Sequence, residues 1–240
     1  MLKEFKRGIY GFIHIGVLGR WKEILLSQIK LLNDSKLTDK TNKIFVGISG
    51  NHALVDCLPD EFKICSIDPI LENGEISTLK CLYDMSFKLN NSKIWYIHTK
   101  AARYNTELGQ LCADSWRNYM QHFVINKHED CINALDNHDL AGVEWRKNFF
   151  AGNFWWANSN YISKIKNPLN RNDVDLLSPL NNINLDWFDF INKKIARKRF
   201  LAEFNFIGKE NPIVKNFYSF GNIDFTNRYL RQIGDEFFLE

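Results

Sequence analysis

The sequence predicts an α/β protein with a mostly parallel central sheet flanked by helices. Three observations carry that prediction. Short runs of β-favouring apolar residues alternate with amphipathic helical stripes over the first hundred residues. Within residues 93–100, Lys-Ile-Trp-Tyr-Ile-His-Thr-Lys, mostly apolar, β-favouring residues frame a short central strand. No internal repeat, low-complexity tract or shift in composition divides the chain. The 240 residues are therefore read as one domain, 1–240, with a core from about 8 to about 210 and a C-terminal extension over about 211–240.

The elements follow in order. Residues 9–17 (Ile-Tyr-Gly-Phe-Ile-His-Ile-Gly-Val) form a buried first strand that ends in a glycine-containing turn. Leu25, Ile29 and Leu32 share one stripe, which predicts an amphipathic helix over 21–32. Residues 43–49 and 62–67 give the second and third strands, the latter closing on Asp68-Pro69. Asn73-Gly74 is a turn, and Ile76, Leu79, Leu82 and Ser86 mark a helix leading into the strand at 93–100. Beyond it, Trp116, Tyr119, Met120 and Phe123 form a second helical stripe, and a helical pattern continues to Leu135. Residues 140–145 read as another strand. Residues 149–165 read as a dense aromatic turn that becomes helical, 166–184 as a loop rich in Asn, Asp and Pro, and the stretch through Phe200 as a helix. No periodicity assigns an element to 201–240.

Composition narrows the function classes. Hydrophobic residues make up 45%, enough for a full core, which excludes a disordered chain. A net charge of +3 is too mild for a nucleic-acid partner, which needs a concentrated basic face. The five cysteines (Cys57, Cys65, Cys81, Cys112, Cys131) are odd in number and show no C-x-x-C spacing, which fits buried thiols in a reducing compartment. The apolar run at the start is interrupted by His14 and is too short to cross a bilayer. A cytoplasmic location follows as the expectation.

In open α/β sheets, ligands bind outside the carboxyl ends of the strands. The strand at 93–100 delivers His98 and Lys100 there, two positions apart and on one face if the pleat continues. Two cation-capable side chains at that edge point to an anion, and a diphosphate is the obvious one. An isolated His-x-Lys would more simply be a hydrogen-bonded histidine beside a solvated lysine. The strand context and the aromatic turn favour the functional reading.

Those two motifs carry a resemblance. Tyr96-Ile97-His98-Thr99-Lys100, with Phe150-Ala151-Gly152-Asn153-Phe154-Trp155-Trp156-Ala157 further on, resembles a family of small bacterial and large-DNA-virus glycosyltransferases of GT-A-like fold, which act in surface-polysaccharide or capsid glycosylation. Glu75 with Thr78-Leu79, Trp116-Arg117, Ala141-Gly142-Val143 and Ala202-Glu203 match as well, so the likeness covers residues 8–210. Two departures stand out. Ala101 occupies a position where family members usually have Gly, and the Asp-x-Asp metal signature of GT-A enzymes is replaced by His98-Thr99-Lys100. Asp173-Val174-Asp175 has that spacing but lies in the late loop and reads as incidental.

The resemblance implies transfer of a sugar from a nucleotide-diphosphate donor to a glycan or lipid-linked acceptor. Lys100 and His98 would face the diphosphate, with His98 as a ligand for Mn2+ or Mg2+ if an acidic partner reaches it. Asp68 would contact the nucleoside, or else simply holds the turn before Pro69. His14, Glu75 and Thr78 would face the donor, although Glu75 and Thr78 equally suit a helix start. Gly152 and Asn153 would lie near the reacting sugar with Trp155 or Trp156 behind it, at least one indole belonging to the core. Glu203 is the first candidate for general base, with Asp114 and Asp186 in reserve; each is also readable as a surface carboxylate. Lys193, Lys194, Arg197, Lys198 and Arg199 form a basic helix face, either solvated or attracted to anionic lipid at the inner membrane surface. Two rivals remain: a nucleotidyltransferase, of whose glycine-rich loop Gly16-Val17-Leu18-Gly19-Arg20 is a faint echo, and a non-catalytic carbohydrate-binding module using Trp155 and Trp156.

Overall fold

The computed structural model describes residues 5–100, 102–146, 148–166, 169, 202–203 and 206–219. The helix expected through Phe200 lies outside them, as do Ala101, Asp173, Val174, Asp175, Asp186, Lys193, Lys194, Arg197, Lys198 and Arg199.

A seven-stranded sheet organises the chain. Its first half is β1 (Ile9–Gly16), β2 (Thr41–Ser49), β3 (Lys63–Asp68) and β4 (Lys93–His98), connected through helices α1 (Trp21–Asp34), α2 (Leu37–Lys40) and α3 (Ile76–Ser86). These four strands run parallel in the spatial order β3-β2-β1-β4. Next come α4 (Glu107–Gln121), a π-helical turn (His122–Asn126) and α5 (His128–Ala134). The second half of the sheet is β5 (Leu140–Gly142), β8 (Trp155–Asn158) and β9 (Val214–Asn216), with the small hairpin β6 (Trp145–Arg146) and β7 (Phe149–Phe150) between β5 and β8. A short α6 (Ser159–Ile162) follows β8. The full order is β3-β2-β1-β4-β8-β5-β9, with β8 antiparallel to both of its neighbours.

Alternation along the strands sorts the core into two layers. Ile13, Ile15, Trp95, Ile97 and Trp156 point to the face covered by α1 and α4, where they meet Leu25, Trp116 and Met120. Tyr10, Phe12, Tyr96 and Trp155 point the other way, toward Leu79 and Leu82 of α3. Each large side chain buried here contributes roughly 1.5–3 kcal/mol relative to exposure. Gly11 shows why the first strand reads as it does: a Cβ there would sit 2.0 Å from Cζ2 of Trp95, so the missing side chain makes room for the indole.

Two features depart from the sequence-based expectations. The aromatic turn does not pass straight into a helix; it first forms β8, wedged between β4 and β5. A four-residue strand buried on both faces has no alternation to reveal it. And β9 pairs in parallel with β5, so residues 214–216, counted with the extension, are part of the sheet. Among the described residues no helix is long and apolar enough to cross a membrane. All five cysteines are free thiols.

Candidate functional site

From β1 the chain steps outward to β2 and β3, then returns to lay β4 on the other side of β1. Strand order therefore reverses between β1 and β4, and a crevice opens at their carboxyl ends. A cleft of about 260 Å³ lies there, lined by His14, Gly16, Leu71, Gly74, Glu75, His98, Thr99 and Arg103 among others. His14 and His98 are register partners on adjacent strands, so both imidazoles enter the same end of the sheet.

The two histidines are held differently. Ser49 Oγ donates to the Gly74 carbonyl at 2.7 Å, so it accepts from His14 Nε2 at 3.1 Å. In the neutral ring, Nδ1 then accepts from the Thr78 hydroxyl at 2.8 Å. His14 and Thr78, expected to face a donor, thus form a buried brace joining β1, β2 and α3 at the cleft floor. His98 Nε2 lies 2.9 Å from the Gly152 carbonyl, which can only accept, so this nitrogen carries a proton. Its Nδ1 faces Glu75 Oε1 at 3.7 Å. A protonated ring completes an ion pair there; a neutral one turns its lone pair toward a carboxylate.

Glu75 ties the two sequence motifs together. It stands just before α3, yet its side chain does not cap that helix and turns inward instead. Its Oε2 accepts from Tyr96 Oη at 2.8 Å and from Asn153 Nδ2 at 2.6 Å, and Asn153 Oδ1 accepts from Trp155 Nε1 at 2.7 Å. Burial, reinforced by the Glu75 charge, pushes the Tyr96 phenol well above its ordinary pKa, so it stays a donor.

Gly152 and Asn153 make the bend that carries these contacts. Both have positive φ, +93° and 57°. A Cβ on Gly152 would meet Met120 Sδ at 2.3 Å and Trp116 Nε1 at 3.0 Å. The Gly152 N–H donates to Glu203 Oε1 at 2.5 Å, and Glu203 Oε2 lies 3.9 Å from Lys100 Nζ. Glu203, Lys100, His98 and Gly152 are therefore brought together, although the sequence spreads them over more than a hundred positions. β4 ends at His98, where the Lys100 N–H closes on the His98 carbonyl at 2.7 Å, and Arg117 Nη1 donates to the Lys100 carbonyl at 3.2 Å.

The indoles correct an expectation. Trp155 and Trp156 are both fully buried, so neither offers an open face for a sugar. Successive residues of β8 point to opposite faces: Trp155 stacks on Tyr96 at 5.1 Å, while Trp156 Nε1 donates to the Val124 carbonyl of the π-helical turn at 2.8 Å. Asp68 holds its own turn, accepting from Ile70 N at 2.9 Å and Asn73 Nδ2 at 2.8 Å, in line with the simpler of its two readings. Asp114 of α4 sits between Arg20 and Arg117, at 3.2 and 2.6 Å, and so ties the loop that follows β1 to α4. Arg103, at the cleft mouth, was not singled out from sequence; an exposed arginine in a loop carries no periodic signal.

No group of three or more His, Cys, Asp or Glu side chains among the described residues could hold a metal ion. His98 and Glu75 are two such side chains, fewer than the three that a resident Mn2+ or Mg2+ site would draw on.

A family model described as "Domain of unknown function (DUF8361)" matches residues 16–204. No curated protein matches the chain. Among solved structures, a similar chain is that of the crystal structure of Rv0371C in complex with manganese from Mycobacterium tuberculosis H37Rv, at 8% identity over 66% of this chain and 76% of that one, with a TM-score of 0.37. A likeness at that level bears on neither fold nor ligand.

Proposed function

We infer that this chain, which belongs to the DUF8361 family, is a glycosyltransferase of GT-A-like fold that moves a sugar from a nucleotide-diphosphate donor to a glycan or lipid-linked acceptor. One observation supports this reading above the others: His98 and Glu75, which line the cleft, tie the strand end to the Gly152–Asn153 bend, and Glu203 links that bend to Lys100 behind them. The mostly parallel sheet, with its order reversing at that cleft, is compatible with the GT-A-like expectation.

In the proposed reaction the acceptor oxygen attacks the anomeric carbon as the bond to the diphosphate breaks. The diphosphate leaves with the electron pair. Lys100 and Arg103 supply positive charge for the leaving group, and Glu203 takes the acceptor proton. No step is assigned to Mn2+ or Mg2+, because the described donors do not fit a resident ion. A peripheral contact between anionic lipid and the basic residues at 193–199 would bring a lipid-linked acceptor to the cytoplasmic face.

The rivals each meet a specific difficulty. A carbohydrate-binding module built on Trp155 and Trp156 needs an indole surface, and both rings are buried. A nucleotidyltransferase loop needs free backbone N–H groups, whereas those of Gly16, Val17, Leu18 and Arg20 are bonded to Thr99, Ser49, Gly16 and Ala102.

The test is a thermal-shift panel of nucleoside diphosphates, with and without Mn2+, coupled to hydrolysis of the matching nucleotide sugars. At least one diphosphate should raise Tm with the logarithm of its concentration, its sugar should be hydrolysed, and Lys100→Ala should weaken the effect. A flat panel with no donor turned over would end this reading.

A further inference from the structure

We propose that Lys100 is an exchangeable counter-ion: in the arrangement seen it neutralises Glu203, and a diphosphate that draws Lys100 away releases that carboxylate for the acceptor. This rests on the transferase reading for its purpose, though not for its test.

The geometry separates a fixed partner from a movable one. Glu203 Oε1 is pinned by the Gly152 N–H at 2.5 Å, and Gly152 is itself pinned by His98. The backbone of Lys100 is anchored at both its N–H and its carbonyl. Its ammonium is not. It has three donors, and among the described residues its one partner is Glu203 Oε2 at 3.9 Å, beyond hydrogen-bond reach. The two side chains are 16% and 13% exposed, so most of each stem is packed against protein. A cation on a flexible four-carbon stem, held by a loose ion pair, is poised to take a better acceptor. Diphosphate oxygens in the cleft beside Thr99 and Arg103 would be such an acceptor.

Donor binding and base release then become one event. Glu203 stays fixed and loses its counter-charge only when the leaving group has occupied Lys100, so the base is freed only with a donor in place.

The experiment is calorimetric titration of inorganic pyrophosphate into the wild type, Glu203→Gln, Lys100→Ala and the double variant. Glutamine keeps an oxygen for the Gly152 N–H while removing the charge that competes for Lys100. Glu203→Gln should therefore tighten pyrophosphate about threefold to tenfold, and Lys100→Ala should weaken it about tenfold. The decisive comparison is the double variant: without Lys100, the gain from Glu203→Gln should vanish. Persistence of that gain would mean simple charge repulsion and would overturn the exchange, as would equal affinity in wild type and Glu203→Gln, or no binding to either. If Lys100→Ala fails to fold, by its melting curve, Lys100→Met carries the same comparison. Pyrophosphate exchange without donor hydrolysis would fell the transferase and leave the exchange standing; donor turnover with no effect of Glu203→Gln on affinity would do the reverse.

Discussion

Glu75 and Asn153 stand 78 positions apart in the chain, and Asn153 Nδ2 donates to Glu75 Oε2 at 2.6 Å. The same carboxylate holds Tyr96, and the same amide holds Trp155. One asparagine thus connects the helix after β3 to the strand after the aromatic bend.

Asn153→Ala removes both amide contacts, leaves a buried carboxylate short of a donor and an indole N–H short of an acceptor, and puts alanine at φ 57°. We expect a loss of about 3 kcal/mol, with a hydrogen bond to a charged group as the largest part. Urea unfolding checks it, read as a lower midpoint at unchanged slope.

Gly152→Ala forces a side chain onto φ +93° and against Met120 and Trp116. Strain and overpacking should cost about 2–4 kcal/mol. Since Gly152 bridges His98 and Glu203, diphosphate binding should weaken along with stability; a melt and a pyrophosphate titration on the same sample would show both.

Tyr96→Phe tests the buried phenol and has a pH signature. Burial first, and the Glu75 charge second, raise the folded pKa. The unfolded tyrosine ionises near about 10 while the folded one keeps its proton. Its contribution to stability is therefore complete below that value and is lost as pH rises toward the folded pKa. The variant should lose about 1–3 kcal/mol at neutral pH from the missing bond to Glu75 and should decline less steeply than wild type above pH ~10. Denaturant melts between neutral and alkaline pH would reveal the difference; parallel curves would mean the phenol titrates normally.

Arg103→Ala separates binding from folding. The side chain is exposed and packs over the Tyr104 ring at 5.4 Å, so stability should change by no more than about 0.5 kcal/mol. Affinity for a nucleoside diphosphate should fall by about tenfold. An unchanged dissociation constant would place the ligand elsewhere in the cleft.

Local pattern determined a large part of this protein. The apolar runs of β1, β2 and β4 and the stripes of α1 and α3 are legible because burial on a 2-residue or 3.6-residue period leaves its mark on neighbouring positions. The arrival of His98 at a strand end was legible for the same reason. Tertiary structure alone decided the rest. β8 is hidden because a short strand buried on both faces has no period, and its antiparallel insertion is what sends Trp155 and Trp156 into opposite core layers rather than onto a surface. Glu75 reads as a helix-start residue until the fold turns its carboxylate under β4, and Glu203 becomes Lys100's counter-ion only because the Gly152 bend brings distant segments together. Contacts between residues far apart in sequence depend on packing geometry, and no local run of side chains encodes that.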